Sequence, residues 1–299
     1  MTVTDLLRPL LVRSPRSSMA VLEWLGAGYK ADARFSAVHP RYRAYWDRDS
    51  EAYVTADLGE YGGRYAYYWG RYGDACHREA LRQLLDPGDT YIDVGANIGM
   101  HSLFASRLVG PAGMVLAFEP HPESFQQLSA HIAMNRIHWC EPLNVALSDC
   151  SAATILRQAE EHSGTATLRE GVSGRTFTIN TRVGDDVLAE REFPGKSILK
   201  VDVEGYEFHV LRGLRRTLER VHAAWVEVTP EWLSAMGERA EDLYRYMAGL
   251  GFAACLPRLK WKLKLFSPRL NLDPIASPPS NQHDVLFVRR PSITVQEAP

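Results

Sequence analysis

Cysteine is scarce in this sequence, and the four that occur form no recognisable pattern. None lies at the Cys-x-x-Cys spacing of a zinc site or a redox motif. This scarcity also argues against a disulfide framework and suits a reducing cytosol. We therefore interpret Cys76, Cys140, Cys150 and Cys255 as small, buried, apolar residues.

Long apolar runs and an excess of one charge are also lacking. No uninterrupted apolar stretch reaches the roughly 20 residues that span a bilayer, so no integral membrane segment is predicted. Asp5 precedes the first apolar run and Pro9 interrupts it, which argues against a signal peptide. The formal charge of −2 argues against nucleic acid as a partner. We expect a cytoplasmic protein that acts on a small-molecule or glycan substrate, and a homo-oligomer remains open.

The most informative stretch is DVGANIG, from Asp93 to Gly99, between the apolar residues 90–92 and the helical pattern that begins at Met100. It reads as the bend between a buried strand and a helix. Glycine at positions 95 and 99 lets the backbone approach a ligand closely. We expect the amides that open the helix to attract a carboxylate or phosphate. The stretch therefore predicts a cofactor-binding loop.

The chain divides into an N-terminal helical appendage (residues 1–48), a main domain (49–290) and a short tail (291–299). The aromatic run 53–72 contains two β-prone segments separated by glycines, which predicts a hairpin. Beyond it, strands and helices alternate at the spacing of βαβ units, and this predicts a parallel sheet with helices on both faces. Thr-rich and Ile-rich pieces in 151–184 interrupt the alternation and predict a β-rich insertion.

Four further segments yield specific structural predictions. Residues 142–147 read as the third strand, and the apolar spacing predicts single helices over 206–220 and 233–250. Between Arg258 and Leu265 basic and apolar residues alternate, which is typical of an edge strand protected by lysines. An alternative is a cationic surface for an anionic substrate or a lipid headgroup. A Pro-rich loop is expected at 267–280.

The glycine loop lacks the GxGxxG fingerprint of a dinucleotide site. Asn97 stands near the position of a middle glycine, but asparagine tolerates positive φ. A carboxylate at Asp93, directly before the loop, suits a ligand with a positive ammonium and would repel a pyrophosphate. Glu119 ends the next predicted strand, where an acid holds ribose hydroxyls. These features favour S-adenosylmethionine over a dinucleotide.

Four later motifs extend this pattern: AFEP (117–120), NVALSD (144–149), KVDVEGYE (200–207) and LRG (211–213). Together with DVGANIG, their order and spacing resemble the FkbM-type methyltransferases over about residues 64–255. The resemblance implies an α/β fold, the class I methyltransferase (Rossmann-like) seven-stranded, mostly parallel sheet. It would end in a C-terminal antiparallel hairpin formed by FAACL and DVLFVRR.

The resemblance also implies S-adenosyl-L-methionine as the cofactor and indicates its contacts. The loop from Asp93 to Gly99 would surround the methionine part, Glu119 would bind the ribose, and the stretch after the third strand would border the adenine. The residues implied are Asp93, Gly95, Ala96, Asn97, Gly99, Glu119, Asn144 and Ala146.

Two acids at the carboxyl end of the KVDVEG strand are the candidate catalytic residues. Alternation along the strand places Lys200, Asp202 and Glu204 on one side, at the end of the sheet where ligands bind. We expect Asp202 and Glu204 to act as base or to position the acceptor. The alternative is that Glu204 caps the following helix, which also holds Glu207, and that Asp202 holds a loop.

Weaker candidates are a divalent ion and two histidines. Carboxylates at Asp202 and Glu227 stand at strand ends where some sugar O-methyltransferases bind a metal, and such oxygen ligands suit Mg²⁺. His101 would face the cofactor or serve as a structural residue. His162, in the insertion, would reach a substrate or lie in an exposed loop.

The sequence thus predicts an S-adenosylmethionine-dependent O-methyltransferase that acts on a hydroxyl of a sugar or other natural-product or glycan intermediate. Two other functions stay open. One is a non-catalytic cofactor-binding scaffold with the same fold. The other is a nucleotide-dependent oxidoreductase or epimerase, which the missing GxGxxG disfavours.

Overall fold

The structure is a computed structural model that describes residues 41–71, 74–159, 165–260 and 269–289. These residues fall into two compact units. The first contains the described residues up to Ala75 together with Ala130–Arg136, and the second contains Cys76–Ser129 and the described residues from Ile137 onward. Every helix in the described segments is too short or too polar to cross a bilayer.

The first unit begins with an antiparallel hairpin of strands β1 (Tyr42–Asp47) and β2 (Ala52–Asp57). Its turn is held by the Asp47 side chain, whose Oδ1 accepts hydrogen bonds from the backbone amides of Asp49 and Ser50. Because β1 and β2 pair with each other, the boundary predicted at residue 48 falls inside this hairpin.

Residues Tyr61–Trp69 form helix α1, so the hairpin predicted over 53–72 is wrong. Strand β2 contains the first β-prone run, and its partner precedes it in the chain. Side-chain contacts favour the helix over a second strand. The rings of Tyr65 and Trp69, one helical turn apart, lie 4.5 Å from each other, and the buried guanidinium of Arg64 donates to two carbonyls of the preceding loop.

The remaining strands are β3 (Thr90–Val94), β4 (Met114–Phe118), β5 (Cys140–Leu143), β6 (Ala146–Ser148), β7 (Ala152–Gln158), β8 (Arg175–Val183), β9 (Ser197–Val201), β10 (Ala223–Val228), β11 (Phe252–Lys260), β12 (Arg269–Pro274) and β13 (His283–Arg289). The remaining helices are α2 (Ala75–Leu84), α3 (Met100–Val109), α4 (Pro122–Met134), α5 (Gly184–Val187), α6 (Glu207–Gly213), α7 (Arg215–Leu218), α8 (Pro230–Ala235) and α9 (Ala240–Gly249).

An eight-stranded sheet in the order β12-β11-β13-β10-β9-β3-β4-β5 forms the centre of the second unit. The strands from β10 to β5 run parallel, and β13 runs antiparallel to both β10 and β11. All residues of β3 and β9 are buried, which is typical of parallel strands covered on both faces. The mostly parallel sheet that the sequence predicted is therefore confirmed.

The sheet has one strand more than the seven predicted, because β12 forms within the segment expected to be a Pro-rich loop. Alternating leucines give β12 an apolar face, and Leu270 pairs with Leu259 of β11. Arg258 and Lys260 lie in the part of β11 that pairs with β12, whereas β13 pairs with Phe252–Cys255 of the same strand. The edge strand predicted from Arg258 onward stays a prediction. The rest of that basic stretch, from 261 to 265, lies outside the described residues.

The insertion 151–184 does form β-structure, as predicted, in a separate three-stranded sheet of order β6-β8-β7. The third strand predicted over 142–147 is divided between the two sheets, with β5 in the large sheet and β6 in the small one. The chain turns at Asn144, whose side-chain amide donates to the carbonyls of Glu119 and Pro120. This turn lets one continuous segment serve both sheets.

The two long helices predicted after β9 and β10 are each interrupted. The first stops at Leu214, which separates α6 from α7. The second is interrupted near Gly237, whose φ of +78° lies in the left-handed region and cannot continue a helix. The spacing of apolar residues predicts the buried faces of these helices but does not indicate where each helix is interrupted.

The four cysteines are thiols outside any disulfide, and they do not share one environment. Cys140 is buried, and burial raises the pKa of its thiol to about 12. Cys150 is exposed, so the interpretation of all four as buried residues is wrong.

Replacing Leu116 by alanine tests whether β4 belongs to the core. Leu116 is 1% exposed, so the substitution leaves a cavity, and we expect the free energy of unfolding to fall by about 2–5 kcal/mol. Denaturant unfolding is the measurement, and Ile155→Ala, at a position 43% exposed, is the matched control. Equal effects of the two substitutions would contradict the assignment of β4.

Candidate functional site

A cleft of about 720 Å³, including space open to solvent, lies at the carboxyl ends of the parallel strands. The chain runs from β3 to β4 on one side and later returns to β9 on the other, so β3 marks the topological switch point where ligands bind in such folds. The cleft is lined by Val94, Gly95, Asn97, Phe118, Glu119, Pro120, Ser124, Val145, Ala146, Leu147, Leu156, Ala166, Leu168, Asp202, Val203, Glu204, Tyr206 and Val210.

The glycine loop makes one wall of this cleft, and its conformation requires glycine at position 95. Gly95 has φ +81°, and a Cβ there would lie 1.8 Å from the carbonyl oxygen of Asp202. Asn97 also has a positive φ, +50°, as its replacement of a glycine suggested. Its Oδ1 is buried and has no hydrogen-bond partner in the described part of the chain, so this wall offers an unused acceptor.

Four amides of the loop are used inside the protein. The amides of Gly95 and Ala96 both donate to the carbonyl of Phe118, and the Gly99 amide donates to the Ala96 carbonyl. The Asn97 amide donates to Glu119 at 2.7 Å. Three of these bonds fasten the loop to the end of β4, and the fourth closes the loop on itself.

Lys200 connects the loop to the end of β9. Its Nζ donates to the carbonyl of Gly95 at 3.0 Å and lies 3.2 Å from Asp93 Oδ1 and 3.3 Å from Asp202 Oδ2. Burial disfavours the charge of this lysine, but the two carboxylates outweigh it and raise its pKa. Alternation along the strand predicts that Lys200 and Asp202 lie on one side. Nothing in the sequence indicates that Lys200 is buried against carboxylates, so no function is predicted for it.

Asp93 is fully buried and is not among the residues that line the cleft. Its second oxygen, Oδ2, accepts a hydrogen bond from Ser102 Oγ at 2.6 Å. The other oxygen, Oδ1, forms an ion pair with Lys200 at 3.2 Å. Asp93 therefore positions the loop through Lys200.

Glu119 does line the cleft, in the place where the sequence predicted it. Its two oxygens accept hydrogen bonds from the backbone amides of Asn97 at 2.7 Å and His121 at 2.8 Å. Burial outweighs these bonds and raises the pKa of Glu119 to about 7. Each oxygen keeps a second lone pair, so the ionised group still has acceptor capacity for hydroxyl donors.

Ala146, like Gly95 and Asn97, lines the cleft, but three other predicted cofactor residues do not. Ala96 is buried under the loop. Gly99 begins α3 with φ +90°, and a Cβ there would lie 2.5 Å from Leu128 Cδ1. Asn144 holds the backbone after β4. Sequence motifs identified the right segments but did not separate residues that face the ligand space from those that support it.

Asp202 and Glu204 face the cleft together, opposite the glycine loop. Burial, followed by the charges of Asp202 and Glu227, raises the pKa of Glu204 to about 8. Glu204 Oε2 is buried and has no hydrogen-bond partner among the described residues. The N-cap of the following helix α6 is Tyr206, which makes no side-chain cap hydrogen bond. Glu207 Oε1 accepts the amides of residues 203 and 205, in the turn that precedes the helix.

Glu227 completes a group of three acids. Its oxygens and those of Asp202 and Glu204 lie within 4.8 Å of one another. Burial and the charge of Asp202 raise the pKa of Glu227 to about 8, although Gln282 donates a hydrogen bond to it. Close carboxylates that share a site favour partial protonation over full ionisation.

Of the two candidate histidines, the structure describes His101. The ring of His101 lies 4.3 Å from that of His77, and burial lowers its pKa, as does the charge of Lys200. His101 does not line the cleft, which agrees with its structural alternative. His162 lies outside the described residues.

Comparison with known proteins identifies the motif series independently of this geometry. The model of a family described as "Methyltransferase FkbM domain" matches residues 93–254. Hexuronic acid methyltransferase AglP of Haloferax volcanii is 32% identical over 154 residues, which cover 50% of this chain and 62% of that protein. The 31-O-demethyl-FK506 methyltransferase FkbM of Streptomyces tacrolimicus is 34% identical over 161 residues, covering 44% and 61%.

The chain thus spans about three fifths of the length of these relatives. Among solved structures, that of M. jannaschii TYW2 in complex with AdoMet covers 84% of this chain and 88% of its own, at 13% identity and a TM-score of 0.40.

Removing the Lys200 ammonium should be far more costly than removing an exposed one. Lys200→Met leaves two carboxylates without their cation, and we expect a loss of about 3–5 kcal/mol in the free energy of unfolding. Lys196→Met is the matched control, because that side chain is 40% exposed and its ion pair with Asp86 contributes about 0–1 kcal/mol. Similar denaturation midpoints for the two variants would refute the role of Lys200.

Proposed function

The chain belongs to the methyltransferase FkbM domain family, and we propose that it is an S-adenosylmethionine-dependent O-methyltransferase. We propose further that the acceptor is a hydroxyl of a sugar or another natural-product or glycan intermediate. One observation carries the proposal. One cleft brings the glycine loop and Glu119, the acid that suits a ribose, together with two further acids, Asp202 and Glu204.

The residues on the β3 and β4 side fit S-adenosylmethionine. The buried, unpartnered Oδ1 of Asn97 suits the ammonium group, and Glu119 has lone pairs for the ribose hydroxyls. The backbone and small side chain of Ala146, with its apolar neighbours, suit the adenine. When bound, this cofactor supplies a methyl group activated on a sulfonium.

The residues on the β9 side suit the acceptor. Methyl transfer to a hydroxyl requires alignment of the oxygen and removal of its proton as the new bond forms. Burial raises the pKa of Glu204 to about 8, so its ionised form, which prevails above that pH, is suited to accept the proton through an oxygen that has no partner among the described residues. Asp202, held by Lys200, is suited to orient the hydroxyl.

A divalent ion at Asp202 and Glu227 stays a prediction. The all-oxygen donor set, with Glu204 as a third member, fits Mg²⁺ chemically. Such an ion would orient the acceptor and lower the pKa of its hydroxyl. Two other features reduce the negative charge of the three acids. Lys200 pairs with Asp202, and the raised pKa values of Glu204 and Glu227 favour their protonated forms.

Two features bear on the acceptor. The name of the Haloferax relative refers to a hexuronic acid and that of the Streptomyces relative to FK506, so the family includes both sugar and macrolide acceptors. In this chain the acceptor side of the cleft is rich in carboxylates, which accept hydrogen bonds from hydroxyl groups. We therefore favour a polyhydroxylated acceptor.

Cofactor binding should depend on pH through Glu119. With a pKa of about 7, its ionised form dominates at pH 8 and its protonated form at pH 6. Only the carboxylate accepts hydroxyl donors on both oxygens, so we expect S-adenosylhomocysteine to bind about tenfold more weakly at pH 6. Calorimetry on the wild type, Glu119→Gln and the exposed control Glu190→Gln measures this.

In that experiment Glu119→Gln should bind weakly at both pH values, while Glu190→Gln should follow the wild type. Failure of the wild type to bind either S-adenosylmethionine or S-adenosylhomocysteine would overturn the proposed function. Tight binding without pH dependence would overturn only the role of Glu119.

Turnover should separate an enzyme from a scaffold. We expect Asp202→Asn and Glu204→Gln to bind S-adenosylmethionine as the wild type does but to form S-adenosylhomocysteine about 10²–10⁴-fold more slowly with a hydroxylated acceptor. Glu231→Gln, an exposed acid in α8, is the control. Unchanged rates in both variants would exclude their catalytic role, and binding without wild-type turnover on any acceptor would favour the scaffold.

A further inference from the structure

A short segment of the insertion crosses the cleft next to Glu204. We refer to residues 166–169 as the strap. Its residues alternate in direction, because Ala166 and Leu168 line the cleft whereas Thr167 and Arg169 contact the backbone of Glu204. The same four residues therefore form part of the wall and hold a residue of that wall.

Glu204 has a backbone conformation that needs support. Its φ is +56°, in the left-handed region that is unfavourable for a residue with a Cβ. Non-glycine residues persist there when the surrounding structure holds them, and such sites cluster around ligands. The conformation decides where the Cα–Cβ bond points, and hence where the carboxyl group lies.

The strap supplies this support through the carbonyl oxygen of Glu204. Thr167 Oγ1 donates to it at 2.7 Å, and Arg169 Nε donates to it at 3.1 Å. Two donors on one carbonyl oxygen define the orientation of the peptide unit that follows Glu204. The positive φ is thereby stabilised from outside the loop that contains it.

Both donors are themselves fixed. Thr167 is 1% exposed, and its backbone exchanges two hydrogen bonds of 2.8 Å with Arg157, which ties the strap to β7. The guanidinium of Arg169 lies 4.2 Å from the ring centroid of Trp232. At Gly205 a Cβ would lie 2.9 Å from Trp232 and 3.0 Å from Arg169, so the packing leaves no room for a different arrangement.

We propose that Thr167 and Arg169 are positioning residues for methyl transfer, which act by holding the Glu204 carboxyl group against the cleft. The inference rests on the proposed function for its catalytic consequence. Neither residue is required to touch the acceptor or the cofactor. The insertion is thus part of the catalytic apparatus and more than a cover for the sheet.

The decisive variant is Thr167→Val, which keeps the shape of the side chain and removes the donor. With a panel of neutral methyl hexopyranosides and methyl hexuronides as acceptors, we expect kcat to fall about 10- to 100-fold, while the KM for S-adenosylmethionine stays within about twofold. Thr167→Ser, which restores the hydroxyl, should recover most of kcat. Thr178→Val, at an exposed position of β8, is the control.

Arg169 is tested in the same assay with Arg169→Lys, which keeps the charge but loses the Nε donor and the planar stack on Trp232. We expect a fall in kcat similar to that of Thr167→Val, and no change for Arg182→Lys, at an exposed arginine of β8. A kcat of Thr167→Val equal to that of Thr178→Val, or a loss that Thr167→Ser fails to recover, would overturn the proposal.

Crystal structures of Thr167→Val and Thr178→Val test whether Thr167 positions the Glu204 carboxyl group, and they need no acceptor. We expect the Glu204 carboxyl group to leave its place, with a changed φ, only in Thr167→Val. An unchanged Glu204 would overturn the inference even if the enzyme is active. Absence of wild-type turnover and of cofactor binding would instead overturn the proposed function, so the two failures are distinguishable.

Discussion

The buried ammonium group of Lys200 holds together the two sequence motifs on which the cleft depends. It binds the carbonyl of Gly95 and lies within ion-pair distance of Asp93 and Asp202. Two carboxylates at neighbouring strand ends would repel each other in a medium of low dielectric. The lysine lies between them and attracts both, so it links the ends of β3 and β9. The Asp202 backbone can lie against the glycine loop because Gly95 has no Cβ.

The central sheet was predictable because its strands are short, apolar and regularly spaced among helices. The failures have specific physical causes. Aromatic residues favour strands on average, yet in α1 the ring pair Tyr65–Trp69 and the buried Arg64 favour a helix. Strand β12 was missed because prolines nearby suggested a loop, although its leucines pair with β11. Pattern alone does not reveal such tertiary contacts.

The candidate site shows the same division between what sequence reveals and what only packing reveals. Motifs placed Gly95, Asn97, Glu119, Asp202 and Glu204 at the cleft correctly. The motifs did not reveal that Asp93 and Asn144 hold the backbone around the cleft. A motif contains residues that stabilise a loop as well as residues that bind a ligand, and it does not distinguish them. Thr167 and Arg169 had no local signal, since their partner Glu204 is more than thirty residues away along the chain.

The division of the third strand between two sheets has a consequence for redesign. Because β6 pairs with β8, the wall that holds Ala146 and the insertion that holds Leu168 form one folded layer. A chimera that exchanged only residues 151–184 with a homologue would separate β8 from the β6 partner with which it packs. The natural module for transplantation is therefore the whole small sheet, from Asn144 onward, and its transfer would alter both the Ala146 wall and the Leu168 wall of the cleft together.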